Sequence, residues 1–543
     1  MKKIKVSDYI IQELAKLGIK NIFGVPGDYN FNLIDSVERN SAVKWIGSTN
    51  ELNAGYAADG YSRLNGYGAV ITTYGVGELS AINAIAGSFA ENIPVVMLVG
   101  IPSSKQIEEK SIIHHNFAPP DYCNFADMYS KVTAKAVYLT KTSNIKEEID
   151  ECLDILIKNK KPVYIAIPKD LCCWEIDNNP TEHNISSDET SLIEAASRIT
   201  DLIKNVSNPV IITDSLIKRF KSEFETERFI NKSNIPFCSF LMGKGIIDES
   251  HKNYLGSFLG KTLSSNLLEI LNTSDCVISI GTIYCDFNTF NAPLNFKPDD
   301  MINIQGNFVT VQNKKYENVF MKDLLKHLSL KINKQKIKKI HPINGFKQTS
   351  INKIENLDSN YLYPRIQEFL KPNDIFICDT GIALFGAAQM KFPDKLRFEN
   401  QFFWASIGWG TPASFGAGTA KIFRRTILLT GEGAHQLTFQ EISNIISHGL
   451  RPIIIVINNS GYTIERMLSK NPKDAYNNIN TWDYTKLPFI FGKNVFTAQA
   501  RTNKEFDDIL KLAEIEQKTK MCYLEVFTDK FDIPEFAKIF FKR

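Results

Sequence analysis

The sequence predicts an α/β protein made of three consecutive domains, each with a doubly wound parallel sheet. Three observations favour this fold: the length of 543 residues, short apolar runs that alternate with amphipathic helical stretches, and two polar segments that interrupt the alternation. At roughly 150 residues per domain, this length accommodates three or four domains. No short-period repeat is visible, so a solenoid or propeller is not expected.

The first domain is predicted to span residues 1–176. Residues 95–99 and 163–167 are continuous apolar runs, which is typical of strands buried on both faces of a parallel sheet. The segment 177–189 is rich in Asn, Ser, Thr and Asp and breaks this pattern. It therefore predicts a linker that closes the first domain.

The second and third domains are predicted at residues 190–335 and 358–543. A Lys-rich and Asn-rich stretch separates them, and we interpret its local run of lysines as a solvated linker. Both domains contain short apolar strand candidates between helical stretches. These candidates are residues 209–213, 276–281, 374–379, 426–430 and 453–457.

Composition excludes several classes of protein. With 63 basic and 60 acidic side chains the net charge is +3, which gives no indication of nucleic-acid binding. No apolar run reaches the ~20 residues of a membrane-spanning helix, and the polar start lacks the core of a secretory signal. Nine cysteines without metal-ligand spacing predict reduced, structural thiols. We expect a cytoplasmic protein with no membrane partner.

A motif in the third domain predicts a site for a phosphate group and a cation. The strand candidate 426–430 is followed by Gly431-Glu432-Gly433, a helical stretch at 438–447, and a strand that ends in Asn458-Asn459. Such a unit presents backbone N–H groups to an anion. Oxygens of Glu432, Asn459 and the Gly461 carbonyl are suitable ligands for a divalent cation.

The first domain carries a second group of chemically competent residues. Gly24-Val25-Pro26-Gly27-Asp28 and Asn50-Glu51 precede the adjacent pair His114-His115. Together with Gly431-Glu432-Gly433 and the Asn-Asn pair, which follows Gly433 after 24 intervening residues, these motifs resemble the thiamine diphosphate-dependent 2-oxo acid decarboxylases, the pyruvate and indolepyruvate decarboxylase family. The resemblance runs nearly end to end.

The resemblance implies a function for each domain and for individual residues. The first domain would bind the pyrimidine of thiamine diphosphate, the second would be a central α/β domain, and the third would bind the diphosphate. Glu51 would hydrogen-bond the aminopyrimidine, and Asp28, His114, His115 and Glu465 would form the acid/base group. Mg²⁺, or another divalent cation, would be bound by Glu432, Asn459 and Gly461.

The resemblance also implies which residues contact cofactor and substrate. Ile407 would hold the cofactor bent, and the Ala405 carbonyl would accept a hydrogen bond from it. Leu384, Phe385 and Ile464 would contact the substrate side chain. The full set of cofactor contacts is Glu51, Ala405, Ile407, Gly431, Gly433, Ala434, Asn459, Gly461, Tyr462, Thr463 and Ile464.

Four positions depart from the family pattern. Glu432 stands where the family has Asp, and Ala434 stands where related decarboxylases usually have Ser. Ile382 and Ala383 replace two hydroxyl residues, which makes the pocket more apolar. A C-terminal helix covers the site in the family, which makes Phe536, Phe540 and Phe541 candidate lid residues.

We therefore predict non-oxidative decarboxylation of a 2-oxo acid to an aldehyde and carbon dioxide. Pyruvate, branched-chain and aryl 2-oxo acids such as indolepyruvate remain candidates, and the apolar pocket favours a medium or large side chain. Because the family builds each site from two subunits, a homodimer is the minimum assembly and a homotetramer is expected. The alternatives are a carboligase similar to acetolactate synthase, and a catalytically impaired paralogue that acts as an assembly or regulatory subunit.

Overall fold

The computed structural model describes residues 3–183, 185–260, 265–297, 301–335, 355–420 and 424–538. These residues form two compact units. Unit 1 contains the described residues of Met1–Ile185, Thr411–Phe423 and Thr438–Leu450. Unit 2 contains those of Ser186–Gly410, Arg424–Leu437 and Arg451–Arg543.

The strands are numbered in chain order. They are β1 (Lys3–Lys5), β2 (Asn21–Gly24), β3 (Lys44–Gly47), β4 (Gly68–Thr73), β5 (Val95–Ile101), β6 (Ala136–Tyr138), β7 (Val163–Pro168), β8 (Glu175–Asp177), β9 (Pro209–Thr213), β10 (Phe237–Ser239), β11 (Tyr254–Ser257), β12 (Cys276–Ile280), β13 (Ile302–Ile304), β14 (Phe308–Val311), β15 (Lys314–Glu317), β16 (Ile375–Cys378), β17 (Arg397–Asn400), β18 (Thr426–Gly431), β19 (Ile453–Asn458), β20 (Val495–Ala500) and β21 (Met521–Phe527).

The α-helices are numbered in the same way. They are α1 (Val6–Lys16), α2 (Phe31–Arg39), α3 (Glu51–Asn65), α4 (Val76–Ala90), α5 (Ser104–Glu108), α6 (Asn124–Tyr129), α7 (Ile145–Asn159), α8 (Glu189–Lys204), α9 (Leu216–Arg219), α10 (Glu223–Ser233), α11 (Ser265–Thr273), α12 (Asp286–Thr289), α13 (Met321–Lys331), α14 (Ser359–Phe369), α15 (Ile382–Ala388), α16 (Gly410–Ala420), α17 (Glu432–Thr438), α18 (Ile442–Ser447), α19 (Thr463–Leu468), α20 (Leu487–Phe491) and α21 (Asn503–Glu516). Short 3₁₀ turns occur at Leu171–Cys173, Leu241–Gly243, Phe439–Glu441, Ala475–Asn477, Tyr484–Lys486 and Glu535–Ala537.

Unit 1 is built on a six-stranded parallel sheet in the order β3-β2-β4-β5-β7-β6. Every residue of β4, β5 and β7 is buried, as expected for strands that are covered by helices on both faces. The short strands β1 and β8 pair antiparallel. The apolar runs of the sequence thus become the centre of the sheet because neither of their faces meets water.

Two helices from the last third of the chain also belong to unit 1. Helix α16 packs so closely on α3 that a Cβ atom on Gly416 would lie 1.9 Å from the carbonyl oxygen of Ala57. Just before α18, the Glu441 carboxylate accepts hydrogen bonds from Thr49 (2.8 Å) and Asn53 (2.9 Å). Backbone contact and buried hydrogen bonds therefore attach these helices to α3.

The central sheet of unit 2 has seven strands in the order β11-β10-β9-β12-β13-β14-β15. The first five strands in this order are parallel, whereas β14 and β15 are antiparallel to their neighbours. Gln312 and Asn313 connect β14 to β15, and both have positive φ angles (48° and 65°). This geometry matches the two-residue hairpin turns that suit the natural strand twist.

The second sheet of unit 2 has six parallel strands in the order β17-β16-β18-β19-β21-β20. If the six strands of each sheet are counted along the chain, this order is second, first, third, fourth, sixth and fifth, as in unit 1. Its core is apolar and fully buried, with Phe376, Ile427, Ile455 and Leu524 at its centre.

The predicted α/β fold with three domains is confirmed, with three local differences. The central sheet carries an antiparallel pair that the apolar runs did not indicate. Helix α17 begins at Glu432, where a turn was expected. The predicted helix at 438–447 is broken by the 3₁₀ turn Phe439–Glu441.

The described residues bear on two further predictions, the candidate lid and the lack of a membrane-spanning helix. Phe536 is buried in the core of the second sheet of unit 2, whereas Phe540 and Phe541 lie outside the described residues. Within the part of the chain that the structure describes, none of the helices is both long enough and apolar enough to cross a membrane.

Candidate active site

The structure brings Asp28, His114 and His115 together at one edge of the unit 1 sheet. The Nε2 atom of His114 lies 3.1 Å from Oδ2 of Asp28, and the two imidazole rings are 4.5 Å apart. One ligand atom from each of the three residues lies within 4.8 Å of the others. They form a compact group that can pass a proton over short distances.

The sheet topology explains why Asp28 lies close to His114 and His115. Asp28 follows β2 and the histidines follow β5, so both segments leave from the carboxyl ends of parallel strands. Ligands of open α/β sheets bind at this edge. Tyr29 stacks on His114 with ring centroids 5.0 Å apart, and burial raises the pKa of this tyrosine to about 12. The stacked phenol remains protonated at neutral pH and orients the imidazole.

Glu51 is the first residue of α3 and is half-buried. Asn50 caps the helix by accepting a hydrogen bond from the N–H of Asn53 at 2.8 Å. A Cβ atom on Gly77 would lie 3.3 Å from Oε1 of Glu51 and one on Gly75 would lie 2.0 Å from the carbonyl oxygen of His115. The turn at Gly75–Gly77 therefore lies against both Glu51 and the histidine segment.

A buried carboxylate supports this turn. Glu78 accepts hydrogen bonds from the N–H of Gly75 (2.8 Å) and the hydroxyl of Tyr164 (2.7 Å). Burial raises the pKa of Glu78 to about 7, although both hydrogen bonds act in the opposite direction. No role for Glu78 was predicted from the sequence.

In unit 2, a cavity of about 630 Å³ contains every residue that was predicted for the diphosphate, the cation and the substrate. Its size is within the usual range of small-molecule sites. The predicted residues that line it are Leu384, Phe385, Ala405, Ile407, Gly431, Glu432, Gly433, Ala434, Asn459, Gly461, Tyr462, Thr463, Ile464 and Glu465.

Glu432 uses one carboxylate oxygen to hold a neighbouring loop. Its Oε1 accepts hydrogen bonds from the N–H groups of Asn459 (3.1 Å) and Gly461 (2.9 Å). Its Oε2 is buried and has no hydrogen-bond partner among the described residues. Burial raises the pKa of Glu432 to about 7, against the effect of the backbone N–H groups.

The loop that carries Asn459 and Gly461 is fixed from two other directions. Arg466 donates a hydrogen bond from Nη2 to the carbonyl oxygen of Ser460 at 2.8 Å. The N–H of Tyr462 donates to the carbonyl oxygen of Asn477 at 2.9 Å. Gly461 has φ +143°, and a Cβ atom there would lie 2.1 Å from the same oxygen. Only glycine fits this position.

These residues fit a divalent cation bound beside a diphosphate. Glu432 Oε2, the Asn459 side chain and the Gly461 carbonyl would supply the hard oxygen ligands that Mg²⁺ prefers. The unpartnered buried oxygen is the observation that supports the fit, because such an atom is costly unless a ligand satisfies it. Glycine and alanine at Gly431–Ala434 leave room for a phosphate group.

The apolar end of the cavity lies between α15 and α19. Leu384 and Ile382 are buried, Phe385 is half-buried, and Ile464 and Glu465 come from the first turn of α19. Glu465 is exposed and is one of the residues that line the cavity. One ionisable group thus stands beside a mainly hydrocarbon surface.

Ala405 and Ile407 lie on the loop that follows β17. Ala405 has φ +58°, and its N–H donates to the carbonyl oxygen of Gln401 at 2.9 Å. The left-handed backbone of Ala405 is uncommon for a residue other than glycine and is a feature often found at functional sites.

Several residues that line the cavity were not predicted from the sequence. Asp286, Phe287, Phe290 and Asn291 come from the segment after β12 of the central sheet. Thr380, Phe402 and Leu468 were also missed. The only local signal was the position of the first group beyond the carboxyl end of a predicted strand, where ligands commonly bind.

Comparisons with known proteins gave three domain matches and several relatives that cover nearly the full chain. Models of thiamine pyrophosphate enzymes match the chain three times: the N-terminal TPP binding domain at residues 4–125, the central domain at 196–339 and the C-terminal TPP binding domain at 379–526. The pyruvate decarboxylase of Aspergillus fumigatus is 35% identical over 99% of this chain and 96% of its own length. Pyruvate decarboxylase of Candida glabrata (33%) and isozyme 1 of Saccharomyces cerevisiae (32%) each cover 98% of this chain and 97% of their own length.

Proposed function

Because the chain belongs to the thiamine diphosphate-dependent 2-oxo acid decarboxylases, we propose that its substrates are apolar 2-oxo acids, with pyruvate and branched-chain acids foremost. The enzyme removes carbon dioxide from a 2-oxo acid and releases an aldehyde. The observation that carries the substrate proposal is the cavity of unit 2, which is lined by Glu465 and by the apolar residues Leu384, Phe385 and Ile464.

When bound, thiamine diphosphate supplies a carbon nucleophile for the keto group and accepts the electrons that remain after carbon dioxide leaves. The residues of this chain provide binding and proton transfer. Glu51 would hold a proton at the pyrimidine end of the cofactor. Asp28, His114 and His115 would deliver and remove protons as one coupled group, which their separations of a few ångströms permit.

Glu465 is proposed to act at the reacting end of the substrate. Glu465 lines the cavity together with its α19 neighbours Ile464 and Leu468. A carboxylate at this position would repel a second negative charge nearby and so favour departure of the substrate carboxyl group as neutral carbon dioxide.

Mg²⁺ is the proposed cation. Oε1 of Glu432 already accepts two backbone hydrogen bonds, which leaves Oε2 as a single carboxylate ligand. One-oxygen coordination suits Mg²⁺, whereas larger cations such as Ca²⁺ often take both oxygens of a carboxylate.

The active assembly is proposed to be at least a homodimer, with a homotetramer expected. The acid/base group with Glu51 lies in unit 1, and the residues for diphosphate and substrate lie in unit 2. Two copies would each contribute one of these groups to a shared site, as the resemblance to the family implies. We also propose a cytoplasmic location.

The test is aldehyde release by the purified full-length protein with thiamine diphosphate and Mg²⁺. Pyruvate, 3-methyl-2-oxobutanoate, phenylpyruvate and indolepyruvate are compared, with Glu51→Gln as the inactive variant and the exposed Glu38→Gln as its matched control. Turnover of pyruvate or the branched acid that is lost only with Glu51→Gln supports the proposal. No turnover of any acid would favour the impaired paralogue, and formation of a 2-hydroxy-3-keto acid instead of aldehyde would favour the carboligase.

A further inference from the structure

Phe290 has a left-handed backbone conformation. It follows the last residue of α12 and has φ +48°, and the next residue, Asn291, also has φ +48°. A bulky side chain is uncommon in this left-handed region. Residues held there by their surroundings are found disproportionately at functional sites.

The backbone before Phe290 is fastened to the central sheet. Strands β9 and β12 are parallel neighbours, so Asp214 after β9 lies beside the segment after β12. Oδ2 of buried Asp214 accepts a hydrogen bond from the N–H of Ile283 at 3.0 Å, and the Asn288 side chain donates to the carbonyl oxygen of Ile283 at 2.8 Å. These bonds fix the segment that leads to Phe290.

The backbone at Gly260 also lies close to Phe290. Gly260 has φ +60°, and a Cβ atom there would lie 2.8 Å from Cβ of Phe290 and 2.8 Å from the carbonyl oxygen of Thr289. No larger residue fits at position 260 while Phe290 stays in place. The close approach of the Gly260 backbone therefore restricts the position of the Phe290 side chain.

The side chain of Phe290 forms part of the cavity wall. Its ring meets that of Phe385 edge to face, with centroids 5.9 Å apart and planes at 68°. Phe385 is a residue proposed to contact the substrate. Aromatic pairs at this spacing are in direct contact, so no third ring can enter between them.

We propose that Phe290 is a specificity-determining residue that closes the substrate end of the cavity against aryl side chains. This inference rests on the proposed function and refines its substrate class. With the ring in place the enzyme favours pyruvate and branched aliphatic 2-oxo acids. Without it, the space beside Phe385 admits a phenyl group.

The test compares kcat/KM for pyruvate, 3-methyl-2-oxobutanoate and phenylpyruvate in the holoenzyme. Phe290→Asn removes the ring and keeps a residue that tolerates the left-handed backbone. Phe290→Leu keeps an apolar side chain of smaller reach. Phe224→Asn is the matched control, since Phe224 is 70% exposed on α10 and lies outside the cavity wall.

Phe290→Asn is expected to raise the ratio of kcat/KM for phenylpyruvate over pyruvate by about tenfold or more, which is the usual effect of one pocket-filling group. Phe290→Leu should raise the ratio less, and Phe224→Asn should leave it unchanged. If the wild type is active and the phenylpyruvate-to-pyruvate ratio of kcat/KM stays within about twofold of wild type in both Phe290 variants, the role of Phe290 is wrong. The proposed function would be unaffected by that result. If Phe290→Asn does not fold, Phe290→Leu decides. A wild type that releases aldehyde from none of the acids overturns the proposed function and this inference with it.

Discussion

At the scale of single residues, Glu78 shows how burial controls the charge of a carboxyl group near the site. The side chain is buried beneath the turn at Gly75–Gly77, and its pKa is raised from 4.5 to about 7. The folded protein therefore binds a proton that the unfolded chain releases between these two values. The stabilising effect of this proton is complete below pH 4.5 and is lost as the pH rises to about 7.

Glu78→Gln should remove this dependence on pH. A shift of this size corresponds to about 3 kcal/mol of unfolding free energy lost across the interval, since one pKa unit is worth about 1.4 kcal/mol. Melting temperatures of the cofactor-free protein at pH 5 and pH 8 provide the measurement. The decrease in Tm between the two pH values should be smaller in Glu78→Gln than in wild type or Glu38→Gln, and an equal decrease in all three proteins would contradict the assignment.

Glu432 has two tasks that substitution can separate. Glu432→Gln keeps an oxygen that accepts from Asn459 and Gly461 but removes the charge that a cation needs. Glu432→Ala removes both. We expect Mn²⁺ binding, followed by electron paramagnetic resonance in the presence of thiamine diphosphate, to weaken at least about tenfold in both variants.

The cofactor-free Tm separates the same two variants. It should fall only in Glu432→Ala, because the loop N–H groups then lose their acceptor and remain buried. An unchanged Mn²⁺ affinity in Glu432→Gln would show that Oε2 is not a ligand. A Tm unchanged in Glu432→Ala would show that the loop does not depend on Oε1.

At this scale the sequence predicted residues that the structure places together, and the roles assigned to them stay predictions. The residues assigned to diphosphate, cation and substrate in the third domain all line one cavity. That Glu432 would turn one oxygen toward the backbone of Asn459 was not predictable, since it depends on the distance between two strand ends. Phe290 was missed because none of the motifs on which the resemblance rested lies in the central domain.

At the scale of helices and strands, the contact of α3 with α16 depends on small residues. Gly416→Ala would place a Cβ atom 1.9 Å from the carbonyl oxygen of Ala57 and force two helix backbones apart. Overpacking of this kind usually costs about 1–3 kcal/mol. In Gly418→Ala, on the same helix, the new atom meets only the flexible end of Leu450.

Urea denaturation of the cofactor-free protein tests this difference. The midpoint should fall clearly in Gly416→Ala and much less in Gly418→Ala. Equal midpoints for the two variants would mean that α16 can shift without cost, and the close packing of α3 would then be unimportant for stability.

Elements were predictable where one physical signal dominated. Strands such as β5 and β19 follow from apolar runs that only a covered sheet can bury. Helix α17 was not predicted because the two glycines of Gly431-Glu432-Gly433 have low helix propensity. The burial of Ala434 and the hydrogen bonds that Glu432 accepts from the neighbouring loop favour the observed structure. The hairpin of β14 and β15 was missed because Gln312-Asn313 is not a common turn sequence.

At the scale of the whole molecule, the proposed division of the site between two copies predicts complementation. Glu51→Gln and Glu465→Gln should each be inactive alone. In a mixed dimer of the two variants, one site receives both wild-type residues and the other receives neither. Random pairing should therefore restore about a quarter of wild-type turnover, given two symmetric sites per dimer.

Coexpression of two differently tagged variants and purification through both tags would isolate the mixed dimer. Its turnover should approach about half that of wild type, because one of its two symmetric sites is intact. A doubly tagged but inactive dimer would mean that Glu51 and Glu465 of the same copy act together. Glu38→Gln paired with Glu465→Gln is the matched control, with one intact site under either arrangement.

The shared strand order of the two six-stranded sheets has a consequence for the ancestry of this protein. Two sheets that follow the same path through six strands are what duplication of one ancestral gene segment leaves behind. Directly after such a duplication the two halves would have been identical, and each would have offered a ligand site at the carboxyl ends of its strands. After duplication each half could diverge, so that one sheet came to carry histidines for proton transfer and the other an acidic residue for a metal ion.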